Sequence, residues 1–169
     1  LEEDLDQNTP YFGGPLYNHH SGWNIFNDGN FNPTDTNYFL GAASLFTPPG
    51  QANNWLSFGP VPVGNEGIEL SWKHYSFNNA QRDGYEVLWS TNGLGHQNFT
   101  GIPVAVFGDN DPATDGDTLW REFSFHIPDS LAGPQGIFFA FHHFGNNQFY
   151  LFLDDIQIRS CSGLPTGVS

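Results

Sequence analysis

Between residues 67 and 127 the chain repeatedly alternates apolar and polar side chains, in short runs broken by turn-forming residues. In Gly67–Tyr75 (GIELSWKHY), Ile68, Leu70 and Trp72 fall on one side and Glu69, Ser71 and Lys73 on the other. Asp83–Thr91 (DGYEVLWST) repeats the pattern with Tyr85, Val87 and Trp89, and Leu119–Ile127 places Leu119, Arg121, Phe123 and Phe125 on one face. A period of two suits a strand with one buried face, because successive side chains leave an extended backbone on opposite sides. Helix is disfavoured, since long runs of Ala, Leu, Glu and Lys are missing. Glycine (20), proline (12) and 17% aromatic residues instead describe short aromatic strands joined by tight turns. Further strand candidates are Gly22–Phe26, Tyr38–Leu40, Trp55–Phe58 and Ile102–Phe107, with a short alternation around Leu5.

Two late segments, Gly136–Phe144 (GIFFAFHHF) and Phe149–Arg159 (FYLFLDDIQIR), are largely apolar on both faces, as strands in the middle of a packed sheet are. Gly145–Gln148 (GNNQ) between them reads as a four-residue hairpin connection. Eight or nine strands with long early loops predict an all-β, two-sheet antiparallel β-sandwich of jelly-roll type over residues 1–159. An immunoglobulin-like sandwich fits this length less well. Residues 160–169 (SCSGLPTGVS) have no periodicity and read as a C-terminal linker to a further domain or sorting segment.

Eighteen acidic residues face four basic ones, Lys73, Arg82, Arg121 and Arg159, for a net charge of -14. Such a surface repels phosphate backbones and anionic lipid, so nucleic acid is excluded as a partner. No stretch approaches the roughly 20 apolar residues of a membrane span, so membrane insertion is not expected. The sequence contains no methionine and reads as a piece of a longer product. Cys161 is its one cysteine, which rules out a disulfide within the domain.

Among the acids, Asp154 stands out. In a regular strand it shares a face with Tyr150, Phe152, Ile156 and Ile158. An ionised carboxylate among apolar neighbours must be paired, protonated or bound to metal, and basic partners are scarce. The alternative is a carboxylate at the sheet edge that accepts backbone amides. Asp155 points to the opposite face, so the two cannot chelate together unless a bulge intervenes. Asp109, Asp111, Asp115 and Asp117 lie in one loop but lack the spacing of an EF-hand and read as a solvated surface. His142 and His143 alternate faces, so they do not converge on one ion, and His143 suits a structural role. No G-x-S-x-G elbow, HExxH or distinguished carboxylate pair is present, so no enzymatic activity is expected.

Taken in order, several segments resemble the cleaved adhesin family, also called choice-of-anchor J domains, which are MAM-like jelly rolls of bacterial surface proteins, including gingipain adhesin regions. The segments are IELSWKHYS, DGYEVLWSTNG, LWREFSFHIP and IFFAFHHFGNNQFYLFLDDIQI, with EDLD at Glu3–Asp6 and Gly22-Trp23 resembling the family's opening. His142 departs from the pattern, where arginine is usual before the family's histidine. The resemblance implies a structural Ca²⁺ site joining the first strand to the last, with Glu3 or Asp6 and Asp154 as ligands and loop carbonyls completing 6–8 oxygens. It further implies an extracellular or bacterial cell-surface setting, other domains in the same polypeptide, and an adhesin-like binding role toward a glycan or a surface or matrix protein. A purely structural spacer or assembly domain is the alternative.

For such a ligand, exposed aromatics among amide and charged groups would be the contact surface, because sugar faces stack on rings. Two neighbourhoods have that make-up: Asn54 with Trp55, and Tyr75 and Phe77 leading into the loop that holds Arg82. In either, the rings could belong to the core and leave only the amides exposed.

Overall fold

The computed structural model describes residues 2–4, 22–27, 38–46, 49–76, 78, 80–109, 111 and 120–161. Among them are ten strands: β1 (Glu2–Asp4), β2 (Asn24–Asn27), β3 (Tyr38–Ala43), β4 (Asn54–Val61), β5 (Ile68–Ser76), β6 (Tyr85–Ser90), β7 (Ala105–Phe107), β8 (Arg121–Ile127), β9 (Ile137–His143) and β10 (Tyr150–Ser160). They form two five-stranded antiparallel sheets, one ordered β1-β4-β9-β6-β7 and the other β2-β3-β10-β5-β8. The expected β-sandwich is therefore present, and the two apolar segments each occupy the middle of a sheet.

The alternation works as anticipated. Along β5, residues 68, 70, 72, 74 and 76 are buried and those between them half-buried. Leu56, Phe58, Tyr85, Val87, Ile137, Phe139 and Phe141 from the first sheet meet Ile68, Leu70, Trp72, Ile127, Leu151 and Leu153 from the second in one core. Each such side chain contributes about 1.5–3 kcal/mol when fully buried. The polar groups that the alternation brings inside on β5 and β6 meet across the core. Trp72 Nε1–H donates to Tyr85 Oη at 2.9 Å, and Tyr85 in turn bonds His74 Nδ1. This links β5 of one sheet to β6 of the other.

Two expectations need correction. β9 and β10 do not form a hairpin: β9 pairs with β4 and β6, whereas β10 pairs with β3 and β5 in the other sheet. Residues 144–149 cross from sheet to sheet, a span of about 10 Å that six residues bridge easily. The crossing is held by its backbone. Asp109 Oδ2 accepts the Asn146 N–H at 3.0 Å, Ser44 Oγ accepts the Gln148 N–H at 3.0 Å, and Gly145 O accepts the Ala52 N–H at 2.8 Å. A Cβ at Gly145 would overlap Asp83 Oδ1, so the chain passes the core carboxylate only as glycine.

The second correction concerns Asp154. The β10–β5 register slips between Asp154 and Gln157, and Asp155 adopts φ 48°, the left-handed region that aspartate tolerates better than most residues. One extra residue thus reverses parity. Leu151 and Leu153 face the core before the bulge, and Ile156 and Ile158 pack against it afterwards. Asp154 lies opposite Lys73 on the outer side, half-buried, and does not share a face with Ile156 and Ile158.

Candidate functional site

The outer face of the β1-β4-β9-β6-β7 sheet is unequally covered. Leu94 and Phe99, from the segment after β6, pack on Leu88, Phe138 and Ala140, closing one end of it. The other end is left with a row of residues that are direct neighbours across four strands: Trp55 on β4, His142 on β9, Glu86 on β6 and Val106 on β7. The row exists because each residue is the outward member of an alternating strand. Trp55 and His142 stack with ring centroids 4.0 Å apart and planes 11° from parallel. On Trp55's other flank stand His96 and Phe99, at 5.9 and 6.1 Å, from the 3-10 turn His96–Asn98 and its end. Phe144 lies 5.9 Å from His142. Val106 at 56% exposure and Ile102 at 88% add apolar surface at the β7 margin.

Hydrogen bonds hold the row rigid. Trp55 Nε1–H donates to Asn53 Oδ1 at 2.9 Å, and the same oxygen lies 3.0 Å from His142 Nε2. His142 Nδ1 lies 2.8 Å from Glu86 Oε1. Burial pushes the His142 pKa down, Glu86 pulls it back up, and the net shift is downward. The row itself contains no lysine or arginine. Lys73, Arg121 and Arg159 belong to strands of the other sheet, and Arg82 lies in the loop ahead of β6.

The residues expected from the sequence fall in different places. Trp55 is in the row. Asn54 is not available beside it: it is 5% exposed and its Nδ2–H donates inward to His143 Nδ1 at 3.0 Å. This corrects its expected role at the surface, and the cause is strand parity, which sends neighbours to opposite faces. Tyr75 lies on the outer face of the other sheet, stacked on Phe152 at 6.0 Å and tilted against Trp120 at 5.8 Å, with burial pushing its pKa up. Trp55 and Tyr75 therefore belong to opposite faces of the sandwich and form no single site. Arg82 is half-buried in its loop, and Phe77 lies outside the described residues.

Of the expected metal ligands, Glu3 is on β1 opposite Leu56, Asp6 lies outside the described residues, and Asp154 is on β10 of the other sheet. Asp154 Oδ1 accepts the Asp155 N–H at 2.8 Å, and Lys73 Nζ bonds Asp155 Oδ2 at 2.6 Å. Among the described residues no group of three or more His, Cys, Asp or Glu side chains is placed to hold a metal.

One cluster does bring Ser, His and Asp together. His143 Nδ1 accepts from Asn54, so its Nε2–H donates to Asp83 Oδ1 at 2.9 Å, and Ser44 Oγ donates to that same oxygen. Both hydrogen bonds end on the carboxylate, and the serine is not activated by the histidine as a nucleophile must be. Ser44, Asp83 and His143 are each 0% exposed, which makes the cluster a core fastening beneath the 144–149 crossing.

Glu86, Asn53 and His142 were not singled out as binding residues by the sequence. Glu86 and His142 carried a signal as outward polar positions on their strands and Asn53 lies just ahead of β4, but joining 53, 86 and 142 requires the register of β4, β9 and β6.

No protein-family model matches the sequence, and no curated protein matches it. Solved structures do match in fold. The K1 cleaved adhesin domain of Lys-gingipain from Porphyromonas gingivalis W83 aligns with a TM-score of 0.61 and 22% identity, over 83% of this chain and 84% of that domain. The K2 domain of Lys-gingipain gives 0.60 and 20%, over 82% and 83%. A carbohydrate-binding module, TmCBM61, solved in complex with β-1,4-galactotriose, gives 0.50 and 13%, over 82% and 88%. The chain thus shares the β-sandwich fold of cleaved adhesin domains and of a sugar-binding module. Among the described residues, no helix is long and apolar enough to cross a membrane.

Proposed function

We propose that this chain is a non-catalytic, extracellular glycan-binding module whose ligand lies across Trp55 and His142 on the outer face of the β1-β4-β9-β6-β7 sheet. The observation that carries the reading is the Trp55–His142 stack, fixed by Asn53 and Glu86 at the end of the face that Leu94 and Phe99 leave open. Pre-fixed rings lose little conformational freedom on binding, and carboxylate and amide groups beside them can meet sugar hydroxyls. With no lysine or arginine in the row and a net charge of -14, the ligand is a neutral glycan; sulfated or uronic chains would be repelled. The sugar-binding module among the fold neighbours supports the class of ligand, and the adhesin domains support the surface setting.

Calorimetric titration with a panel of neutral oligosaccharides tests this. Trp55→Ala is expected to weaken binding by about tenfold or more. Because the ring also packs against the Leu88, Phe99, Phe138 and Ala140 cluster, thermal unfolding of the variant checks that it is still folded where binding is measured. Equal affinity in the variant would rule the face out.

The Ca²⁺ site is also proposed, on the family resemblance alone. Because Asp154 faces outward from the second sheet and β1 belongs to the first, an ion held by Asp154 would lie on that outer side and would have to draw its remaining oxygens from loop carbonyls or from the acidic opening segment.

A further inference from the structure

The hydrogen bonds around His142 can be assigned by polarity. Trp55 Nε1–H is only a donor, so the Asn53 atom that receives it, at 2.9 Å, is the amide oxygen. That oxygen also faces His142 Nε2 at 3.0 Å, so Nε2 must carry a proton. On the ring's other side Nδ1 lies 2.8 Å from a Glu86 carboxylate oxygen, again an acceptor. Both ring nitrogens therefore face acceptors, and the relay Trp55–Asn53–His142–Glu86 is complete only when the imidazole holds two protons. Resting on the glycan-binding reading above, we infer that this face is built around a His142 imidazolium, so that the module grips its ligand more tightly as the surroundings become acidic.

A neutral ring can satisfy Asn53 or Glu86 but not both, and the one released no longer fixes its partner. If Nε2 loses its proton, Asn53 is freed to turn and Trp55 loses its anchor. If Nδ1 loses it, two lone pairs oppose each other and Glu86 swings out of the row. In either case one of the bonds that pre-fix the rings for the ligand is lost: the Asn53 bridge in the first, the Glu86 tether in the second. Among the described residues, the charged and titratable groups around the ring are few. Glu86 on β6 favours the charged form, while His143 on the same strand and His96 on the 3-10 turn disfavour it. Asp4 on β1 is one strand beyond, opposite Trp55, and β4 and β7 place Trp55 and Val106 in the row, neither of them charged. Desolvation outweighs Glu86, so the ring titrates below the ordinary histidine value of about 6.5 and is largely neutral at neutral pH. By linkage, a ligand that needs the imidazolium must raise the His142 pKa when it binds.

Glu86→Gln separates this from a merely structural role. A glutamine amide can donate to an unprotonated Nδ1, so the relay closes around a neutral ring and no longer needs acid. Nitrogen NMR of the unliganded protein should show His142 with both ring nitrogens protonated at about pH 5 and one proton at about pH 8, whereas the Glu86→Gln variant should keep a single proton, on Nε2, across a wider range. Binding of a neutral oligosaccharide should be about tenfold tighter at the acid end in the parent, and flat with pH in the variant. A parent ring that stays singly protonated near pH 5 overturns the inference whether or not glycans bind. A ring that titrates while affinity is constant with pH overturns the regulation and leaves the binding reading standing. No glycan binding at any pH overturns both.

Discussion

Tyr85 Oη sits between a donor on Trp72 and an acceptor on His74, and the ring around it is 0% exposed. Burial pushes its pKa well above the ordinary tyrosine value, so the hydroxyl stays protonated and can serve both partners at any ordinary pH. Tyr85→Phe keeps the ring but orphans an indole N–H and an imidazole nitrogen in the core. A loss of about 2–3 kcal/mol is expected from urea unfolding, larger than for a typical exposed hydroxyl. At this scale the sequence was readable where parity alone decides. Tyr85 is inward because Val87 and Trp89 are, whereas Asn54, expected beside Trp55 at the surface, shows that parity was not applied at the start of β4. The protonation state of His142 was not readable, because its partners are 56 and 89 residues away.

At the scale of the element, β10 is the instructive strand. Its eleven residues look like one regular run, yet a single extra residue at Asp155 lets Leu151 and Leu153 on one side of the bulge and Ile156 and Ile158 on the other all reach the core. Periodicity read across the bulge assigns Asp154 the wrong neighbours, since nothing in a Leu-Asp-Asp-Ile run marks which aspartate is unpaired. Deleting Asp155 should leave Leu151, Leu153, Ile156 and Ile158 on one face of a regular strand and keep the thermal midpoint within a few degrees of the parent. Inserting a second residue there should instead turn the leucines or the isoleucines outward and lower the midpoint by more than about 10 °C. A deletion variant that melts far below the parent would mean the bulge does more than correct the parity. Turn chemistry had a similar limit: Gly145–Gln148 marks a reversal of the chain, but the same residues serve a hairpin within a sheet or a crossing between sheets. Which one forms is decided by Asp109 and Ser44, far off in sequence.

For the molecule as a whole, fold class and the central place of both late strands were legible in period-two runs and apolar segments. The pairing of strands was not, because it depends on contacts between distant segments. The calcium proposal belongs at this scale, since an ion tying Asp154 on the central strand β10 to distant loops or to the opening segment would act on the stability of the entire sandwich. Thermal unfolding of the full chain in excess Ca²⁺ and in chelator should differ by several degrees, and Asp154→Asn should lose most of that difference. Identical curves would mean that Asp154 is satisfied by the protein itself.

The placement of the last two strands has one more consequence, for how the chain is made. Until β9 arrives, the first sheet exists as two separate pairs, β1 with β4 and β6 with β7; until β10 arrives, the second is likewise β2 with β3 and β5 with β8. Both keystones are encoded after residue 136. A ribosome must therefore release nearly the whole domain before either sheet can close, and meanwhile β3, β4, β5 and β6 present open edges to any neighbouring chain. Folding of this domain is a late, nearly all-or-none event in its synthesis.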